Sequence, residues 1–157
     1  MRWEYIGIAA LLFAAAVLTN RRAGRIKRDQ MPAFYAAPLL TTPEQTLYLR
    51  LKDALPNHIV MAQVALSQVA RIQRSPTSIT WENKTRPLVI DFVVCRSDFS
   101  IVAAIELDDS SHGLETRKRA DANKDATLKA ANIPIIRWTV KNMPDRFAIA
   151  QQLNSSP

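Results

Sequence analysis

Glycine and cysteine are scarce in this chain of 157 residues. Its three glycines, Gly7, Gly24 and Gly113, lie too far apart to build a glycine-rich phosphate-binding loop, so we expect no nucleotide cofactor. The single cysteine, Cys95, cannot form an internal disulfide and is expected to be a small buried residue of a strand. Paired cysteine ligands and a G-x-S-x-G motif are also missing, which leaves acidic residues as the chemical signal.

Positive charge is concentrated at the start of the chain. The formal net charge is +7, but residues 1–30 carry six basic and two acidic side chains and so contribute +4 of it. The remainder of the chain is only mildly basic. The isoelectric point near 10 therefore does not by itself indicate a nucleic-acid-binding protein.

A long apolar run near the N-terminus predicts a membrane anchor. Residues 6–18, "IGIAALLFAAAVL", are apolar around the whole circumference of a helix. With its edges included, a helix over residues 3–19 is roughly 26 Å long, close to the thickness of a bilayer core. Trp3 and Tyr5 suit one interface, and Arg21 and Arg22 suit the other.

The charges that flank this run predict its orientation. A signal peptide carries its positive charges before the apolar run and a small-residue cleavage site after it, whereas here the arginines follow and no such site is present. A cleaved signal and a buried core helix are the alternatives to an uncleaved anchor. The positive-inside rule then predicts a single-pass protein of the inner (cytoplasmic) membrane, with its N-terminus outside and its C-terminal domain in the cytoplasm.

Composition and turn signals divide the chain into four parts. We predict an anchor with its basic flank at residues 1–28, a proline-containing linker at 29–41, one α/β domain at 42–153 and a short tail at 154–157. Nothing in the sequence indicates an oligomeric state.

The hydrophobic pattern of the domain predicts the order αβββαβ. Thr42 is the expected N-cap of the first helix, with Gln45 completing a capping box. Helices are expected at 42–55, 114–131 and 144–153, and strands at 58–66, 88–95, 101–108 and 133–138. A right-handed crossover makes the last strand parallel to the one before it, so the sheet is mixed. The segment 67–86 is expected to be irregular apart from a helical turn in "LSQVARI".

Carboxylates interrupt two apolar strands. Glu106 and Asp108 lie two residues apart in "IVAAIELD" and so share a face, and Asp91 interrupts "LVIDFVVC". If Asp91 faces the same way, mutual repulsion raises a pKa unless a cation is bound. Mg²⁺ or Mn²⁺ is the cation that such oxygen ligands favour, while ion pairs with Lys or Arg are the structural alternative.

The predicted helix after the loop directs polar groups toward this cluster. Asp121 lies seven residues before Leu128, on the stripe that should face the sheet, and Lys124 and Asp125 follow on nearly the same side. A lysine beside a metal-bound water can help to orient it and can offset charge on a phosphoryl group.

Four segments together resemble a known group of proteins: "TPEQTLYLRLKDAL", "DFVVC", "IVAAIELDDSSH" and "RKRADANKDATLKAANIPIIR". They look like a bacterial domain of unknown function related to the PD-(D/E)XK, or restriction-endonuclease-like, nuclease superfamily. The resemblance covers roughly residues 40–140 and implies Asp91 and Glu106 as acidic ligands of the metal. The lysine of that pattern falls at Asp108, and Lys124 is the candidate that replaces it from the helix.

Other residues have both a functional and a structural interpretation. His112 can contact a phosphate or act as an acid or base, and it can equally be a loop residue. The basic run Arg117, Lys118 and Arg119 can bind a nucleic-acid backbone or form a solvated helix face. Glu44 matches a position where nuclease-like folds place an extra acid, although the helix dipole already favours an acid there. Two further candidates, Trp81 and Trp138, can stack on bases or pack against the core.

Two functions of different classes follow from these observations. The first is a membrane-anchored, metal-dependent nuclease with Asp91, Glu106 and Asp108 as metal ligands and Lys124 as a further catalytic residue. The second is a nuclease-like fold without catalysis, which binds nucleic acid or protein at the membrane. Metal-dependent cleavage distinguishes the first from the second.

Overall fold

The computed structural model describes residues 11–18, 31–108 and 115–154 of the chain. The chain divides into two compact units, Met1–Ala37 and Pro38–Pro157.

In the first unit, residues 11–18 are helical with exposed side chains, and residues 31–37 have no regular secondary structure. Within the described part of the chain, no helix is both long and apolar enough to cross a membrane. Of the predicted span at residues 3–19, only 11–18 are described, and its other residues lie outside the described ranges.

The second unit is an α/β fold built on a four-stranded sheet. Its strands are β1 (Ile59–Ala65), β2 (Val89–Cys95), β3 (Ile101–Asp108) and β4 (Ile135–Thr139), and its helices are α1 (Thr42–Ala54), α2 (Leu66–Val69), α3 (Ser78–Thr85), α4 (Glu115–Ala130) and α5 (Arg146–Asn154). The strand order is β1-β2-β3-β4, with β2 antiparallel to both of its neighbours and β4 parallel to β3. The predicted mixed sheet, including its parallel last strand, is confirmed.

Helix α1 has its N-cap one residue earlier than predicted. Thr41 is the N-cap, and both its N–H and its hydroxyl donate to Oε2 of Glu44 at 2.6 Å. The predicted N-cap Thr42 and the predicted capping-box residue Gln45 were therefore wrong by one position, because two adjacent threonines offer equally suitable caps. Gln45 instead donates to the carbonyl of Leu40 at 2.9 Å.

Two separate apolar cores hold the sheet between its helices. The first joins α1 and α5 to the sheet, and its fully buried members include Leu47, Leu51, Phe92, Val94, Ile105 and Ile149. The second joins α4 and the start of α2 to the sheet, and includes Leu66, Ile90, Val93, Cys95, Ala104 and Leu128. Cys95 is buried, as the sequence predicted. Separate cores of this kind fix α1 and α4 independently against the strands.

The inward and outward alternation of β1 reverses at Gln63. Ala62 packs against the first core and Val64 against the second, although residues two apart in a regular strand share a face. Gln63 between them has a φ of +52°, which breaks the extended conformation as a bulge does.

The neighbouring strand reverses at the same place. Phe92 lies in the first core and Ile90 in the second, and Asp91 stands between them. Ala62 pairs with Phe92 and Val64 pairs with Ile90, so Gln63 and Asp91 occupy the same register position. Asp91 is therefore held where two paired strands exchange faces, at one end of the sheet.

Candidate active site

The side chain of Asp91 accepts a hydrogen bond from β3 that a backbone carbonyl of β2 would accept in a regular sheet. The regular β2–β3 pairing ends at Phe92 and Ile105. Just beyond it, the backbone N–H of Leu107 donates to Oδ2 of Asp91 at 2.8 Å. The carboxylate thus replaces a backbone acceptor where the ladder ends, which fixes the side chain between the two strands.

Glu106 forms an ion pair with a lysine of helix α4. Nζ of Lys124 donates to Oε2 of Glu106 at 2.6 Å, and the two residues are only 8% and 6% exposed. Lys124 and Leu128 are four residues apart and both buried, so they lie on the side of α4 that faces the sheet. The buried acid of the "IVAAIELD" strand is therefore charge-compensated within the protein.

The second oxygen of Glu106 has no such partner. Oε1 is a buried atom without a hydrogen-bond partner in the described part of the chain. A buried carboxylate oxygen without a donor is costly, because burial removes it from water and nothing replaces the lost hydrogen bonds. This oxygen keeps its capacity to bind a cation or to accept a hydrogen bond.

Burial is the main electrostatic influence on both central acids. It raises the pKa of Glu106 to about 7, against the opposing effect of Lys124 and with a smaller contribution from the charge of Asp91. The pKa of Asp91 is also raised, again chiefly by burial, while the Leu107 hydrogen bond and Lys124 lower it. Repulsion among the carboxylates, which the sequence led us to expect, has the predicted direction but is the smaller cause.

Glu44 lies at the edge of this cluster and is held by Gln63. Nε2 of Gln63 donates to Oε1 of Glu44 at 3.0 Å, while Oε2 accepts from the N-cap Thr41. The negative charge of Glu44 also contributes to the raised pKa of Asp91. Both oxygens of Glu44 are therefore engaged within the protein, and the side chain joins the start of α1 to the reversed position of β1.

Arg137 is a site residue that the sequence reasoning missed. It pairs with Glu106 across the parallel β3–β4 ladder, and its Nη2 donates to Oδ1 of Asp125 at 2.6 Å. Its positive charge favours the ionised form of Glu106. The only sequence signal was one arginine in the apolar strand "IPIIRW", and its relevance depends on a register that the sequence does not reveal.

The remaining predicted residues are placed less centrally. Asp108 ends β3 with an exposed side chain, and its negative charge contributes to the raised pKa of Asp91. Lys118 and Arg119 are exposed on α4. His112 and the side chain of Arg117 lie outside the described residues.

The two candidate tryptophans have different surroundings. Trp138 is partly buried and packs against the first core, as the structural alternative to base stacking predicted. Trp81 on α3 is 37% exposed, and Nζ of Lys84 lies 4.8 Å from the centroid of its ring system.

The donor set fits a cation that keeps much of its water. Among the described residues, no three His, Cys, Asp or Glu side chains are grouped as metal ligands. Mg²⁺ commonly uses only one or two carboxylates together with water and substrate oxygens. Asp91 and the unpaired Oε1 of Glu106 meet that smaller requirement.

Comparison with known proteins places the chain in a family. A family model described as a protein of unknown function (DUF2726) matches residues 36–156. The chain belongs to this family. Searches of curated proteins and of solved structures found no match. The DUF2726 match includes Glu44, Asp91, Glu106 and Lys124, but its description assigns no activity.

Proposed function

We propose that this DUF2726 domain is a metal-dependent nuclease with a restriction-endonuclease-like fold. The observation that carries the proposal is the state of Glu106: one buried oxygen pairs with Lys124 and the other has no partner, beside the half-buried Asp91. An acid in this state at the end of a sheet suits cation binding better than simple structural pairing, which would engage both oxygens.

Asp91 and Glu106 would hold the cation, with the exposed Asp108 as the nearest further acid along β3. When bound, Mg²⁺ or Mn²⁺ supplies Lewis acidity at a phosphodiester and makes a water more acidic. The Leu107 hydrogen bond keeps the Asp91 side chain between the strands, so its carboxylate need not reorganise to receive a cation.

Lys124 replaces the lysine that the nuclease pattern places at Asp108. Its ammonium group favours the ionised form of Glu106, which is the form a cation requires. The same positive charge, held rigidly by a buried helix face, would offset the negative charge that develops on a phosphoryl group during hydrolysis.

A second function is favoured by one specific observation. Lys124 already provides Glu106 with a counter-charge at 2.6 Å, so this acid has a cationic partner without a metal ion. The same ion pair between Lys124 and Glu106 is expected in a nuclease-like fold that has lost catalysis and binds nucleic acid or protein.

The location that we propose is the cytoplasmic face of the inner membrane. The support is the apolar run at residues 6–18 and the arginines that follow it. A basic flank next to a membrane anchor also suits the anionic surface of the cytoplasmic leaflet.

Cleavage assays separate the two functions. The full-length chain in mild detergent is incubated with labelled single- and double-stranded DNA and RNA, with Mg²⁺, with Mn²⁺ or with EDTA. The nuclease proposal predicts cleavage of at least one substrate that EDTA and Asp91→Asn both abolish. If none of the four substrates is cleaved, the nuclease proposal is contradicted and the non-catalytic binding function is favoured.

A further inference from the structure

A second surface with its own chemistry lies between α3, residues 70–73 and α4. An open cleft of about 390 Å³ is formed there, with Trp81 and Thr85 on one side and Thr127 and Ala130 of α4 on the other. A second hollow of about 410 Å³ shares Arg71 and Thr85 with the first. The two hollows adjoin at the residues that they share.

The cleft presents one aromatic ring beside small side chains. Trp81 lines it with 37% of its surface exposed, while α4 contributes alanines and a threonine. Small residues opposite an exposed indole leave room for a flat group to stack on the ring. Nζ of Lys84, which does not line the cleft, lies over the ring at 4.8 Å from its centroid and adds a positive charge on that face, so a base would stack on the opposite face.

The walls of the cleft are basic. Arg71 lines both hollows and Arg86 lines the second, both with exposed side chains, and neither forms an ion pair with any residue that the structure describes. Glu82 is the one acid among the residues that line the two hollows. Unpaired guanidinium groups next to an exposed aromatic ring match a ligand that carries both phosphates and flat bases.

Helix α4 connects this cleft to the acidic cluster. Lys124 and Thr127 are three residues apart and are therefore neighbours on the helix surface. Lys124 contacts Glu106, while Thr127 lines the cleft. A chain bound in the cleft would lie within a few helical turns of the acidic cluster.

We propose that this cleft binds single-stranded nucleic acid, with a base stacked on Trp81 and backbone phosphates held by Arg71 and Arg86. A single strand is specified because a base can reach the ring only when it is unpaired. The proposal deepens the proposed nuclease function by naming its substrate strand. It rests on that function only for the delivery of the strand to Glu106.

Binding is measured by fluorescence anisotropy of labelled oligothymidine and oligouridine with the full-length chain in EDTA, where cleavage cannot contribute. Trp81→Ala should weaken binding roughly ten-fold, the scale of one stacked base. Trp81→Phe should retain most of the affinity because it keeps an aromatic ring.

The double variant Arg71→Ala with Arg86→Ala should reduce the slope of log affinity against log salt by about 1 to 2. Lys52→Ala, an exposed lysine of α1, is the matched control and should leave affinity nearly unchanged.

The assay separates this proposal from the nuclease proposal. Trp81-dependent binding in EDTA, together with no cleavage in Mg²⁺, would support nucleic-acid binding in the cleft and would contradict the nuclease proposal. Wild-type affinity in both Trp81→Ala and the double arginine variant would overturn the cleft, even if cleavage is observed. Poly-glutamate that displaces the oligonucleotide with equal affinity would also overturn it, because the site would then recognise acidic peptides.

Discussion

Nζ of Lys124 lies 2.6 Å from Oε2 of Glu106, and both residues are almost completely removed from solvent. The pair joins helix α4 to the centre of the sheet end. Removing one member of a buried pair leaves the other without compensation, so such pairs are sensitive to single substitutions.

Glu106 should make the stability of the domain depend on pH. Its pKa is raised from 4.5 to about 7 in the folded state. Between these values the folded chain retains a proton that the unfolded chain has released, so the unfolding free energy falls as the pH rises. The expected loss is on the order of 3 kcal/mol across that range.

Urea unfolding of the fragment 38–157, which contains both cores, measures this pH dependence. Glu106→Gln should flatten the profile between pH 4.5 and 7, and Glu82→Gln, an exposed acid of α3, should leave it unchanged. A Glu106→Gln profile that is as steep as that of the wild type would show that another group is responsible.

A divalent cation should raise the melting temperature of the same fragment. Binding to the folded state alone stabilises it by mass action, and both Asp91 and Glu106 must contribute ligands for this to occur. Asp91→Asn keeps an oxygen that can accept from Leu107, so it should fold normally yet lose the increment with Mg²⁺ or Mn²⁺. Asp53→Asn, in an exposed ion pair with Arg146, should keep the increment. The same increment in both variants would indicate a cation site elsewhere.

Gln63 should tolerate only residues that accept a left-handed backbone. Its φ of +52° is unfavourable for a β-branched side chain, so Gln63→Val should destabilise the fragment by roughly 1–2 kcal/mol. In Gln63→Asn the shorter side chain no longer reaches Glu44, but asparagine tolerates a positive φ. This variant of the fragment should therefore be destabilised less than Gln63→Val. Equal unfolding free energies for the two variants would argue against the reversed strand geometry.

Much of the fold could be predicted from hydrophobic spacing. The apolar runs predicted all four strands, and the right-handed crossover rule predicted that β4 is parallel to β3. Helix α3 was missed because it has almost no apolar stripe, and Thr85 is its one buried residue. The threonine pair at the start of α1 could not be resolved by pattern, because the choice depends on whether the side chain of Glu44 or that of Gln45 reaches back to the cap.

The site was predictable in part for a related reason. The spacing of Asp121 relative to Leu128, with Lys124 on nearly the same side of the helix, indicated that the lysine faces the sheet, because helix periodicity is local. Arg137 and Gln63 could not be assigned, because their positions depend on strand register and on a reversal of alternation. Register is a long-range property that a single sequence specifies only weakly.

The anchor proposal predicts a defined topology. A reporter fused after Pro157 should be active in the cytoplasm, and the chain should remain in the membrane fraction after a carbonate wash. Neutral substitutions of Arg21 and Arg22 should weaken this orientation, because they remove positive charge next to the span. Periplasmic activity of the reporter, or release of the chain in the wash, would contradict the proposal.

The most direct test of the nuclease account is the single-turnover cleavage rate of Lys124→Met with Mg²⁺. We predict that this variant still folds, because burial favours a protonated, neutral Glu106 once its counter-charge is removed. Its rate at saturating Mg²⁺ should fall roughly 10²-fold or more, the scale expected for a positioned electrostatic group. Lys129→Met, an exposed lysine on the same helix, should cleave at the wild-type rate. Cleavage by Lys124→Met at the wild-type rate, with its folding verified by circular dichroism, would contradict the account.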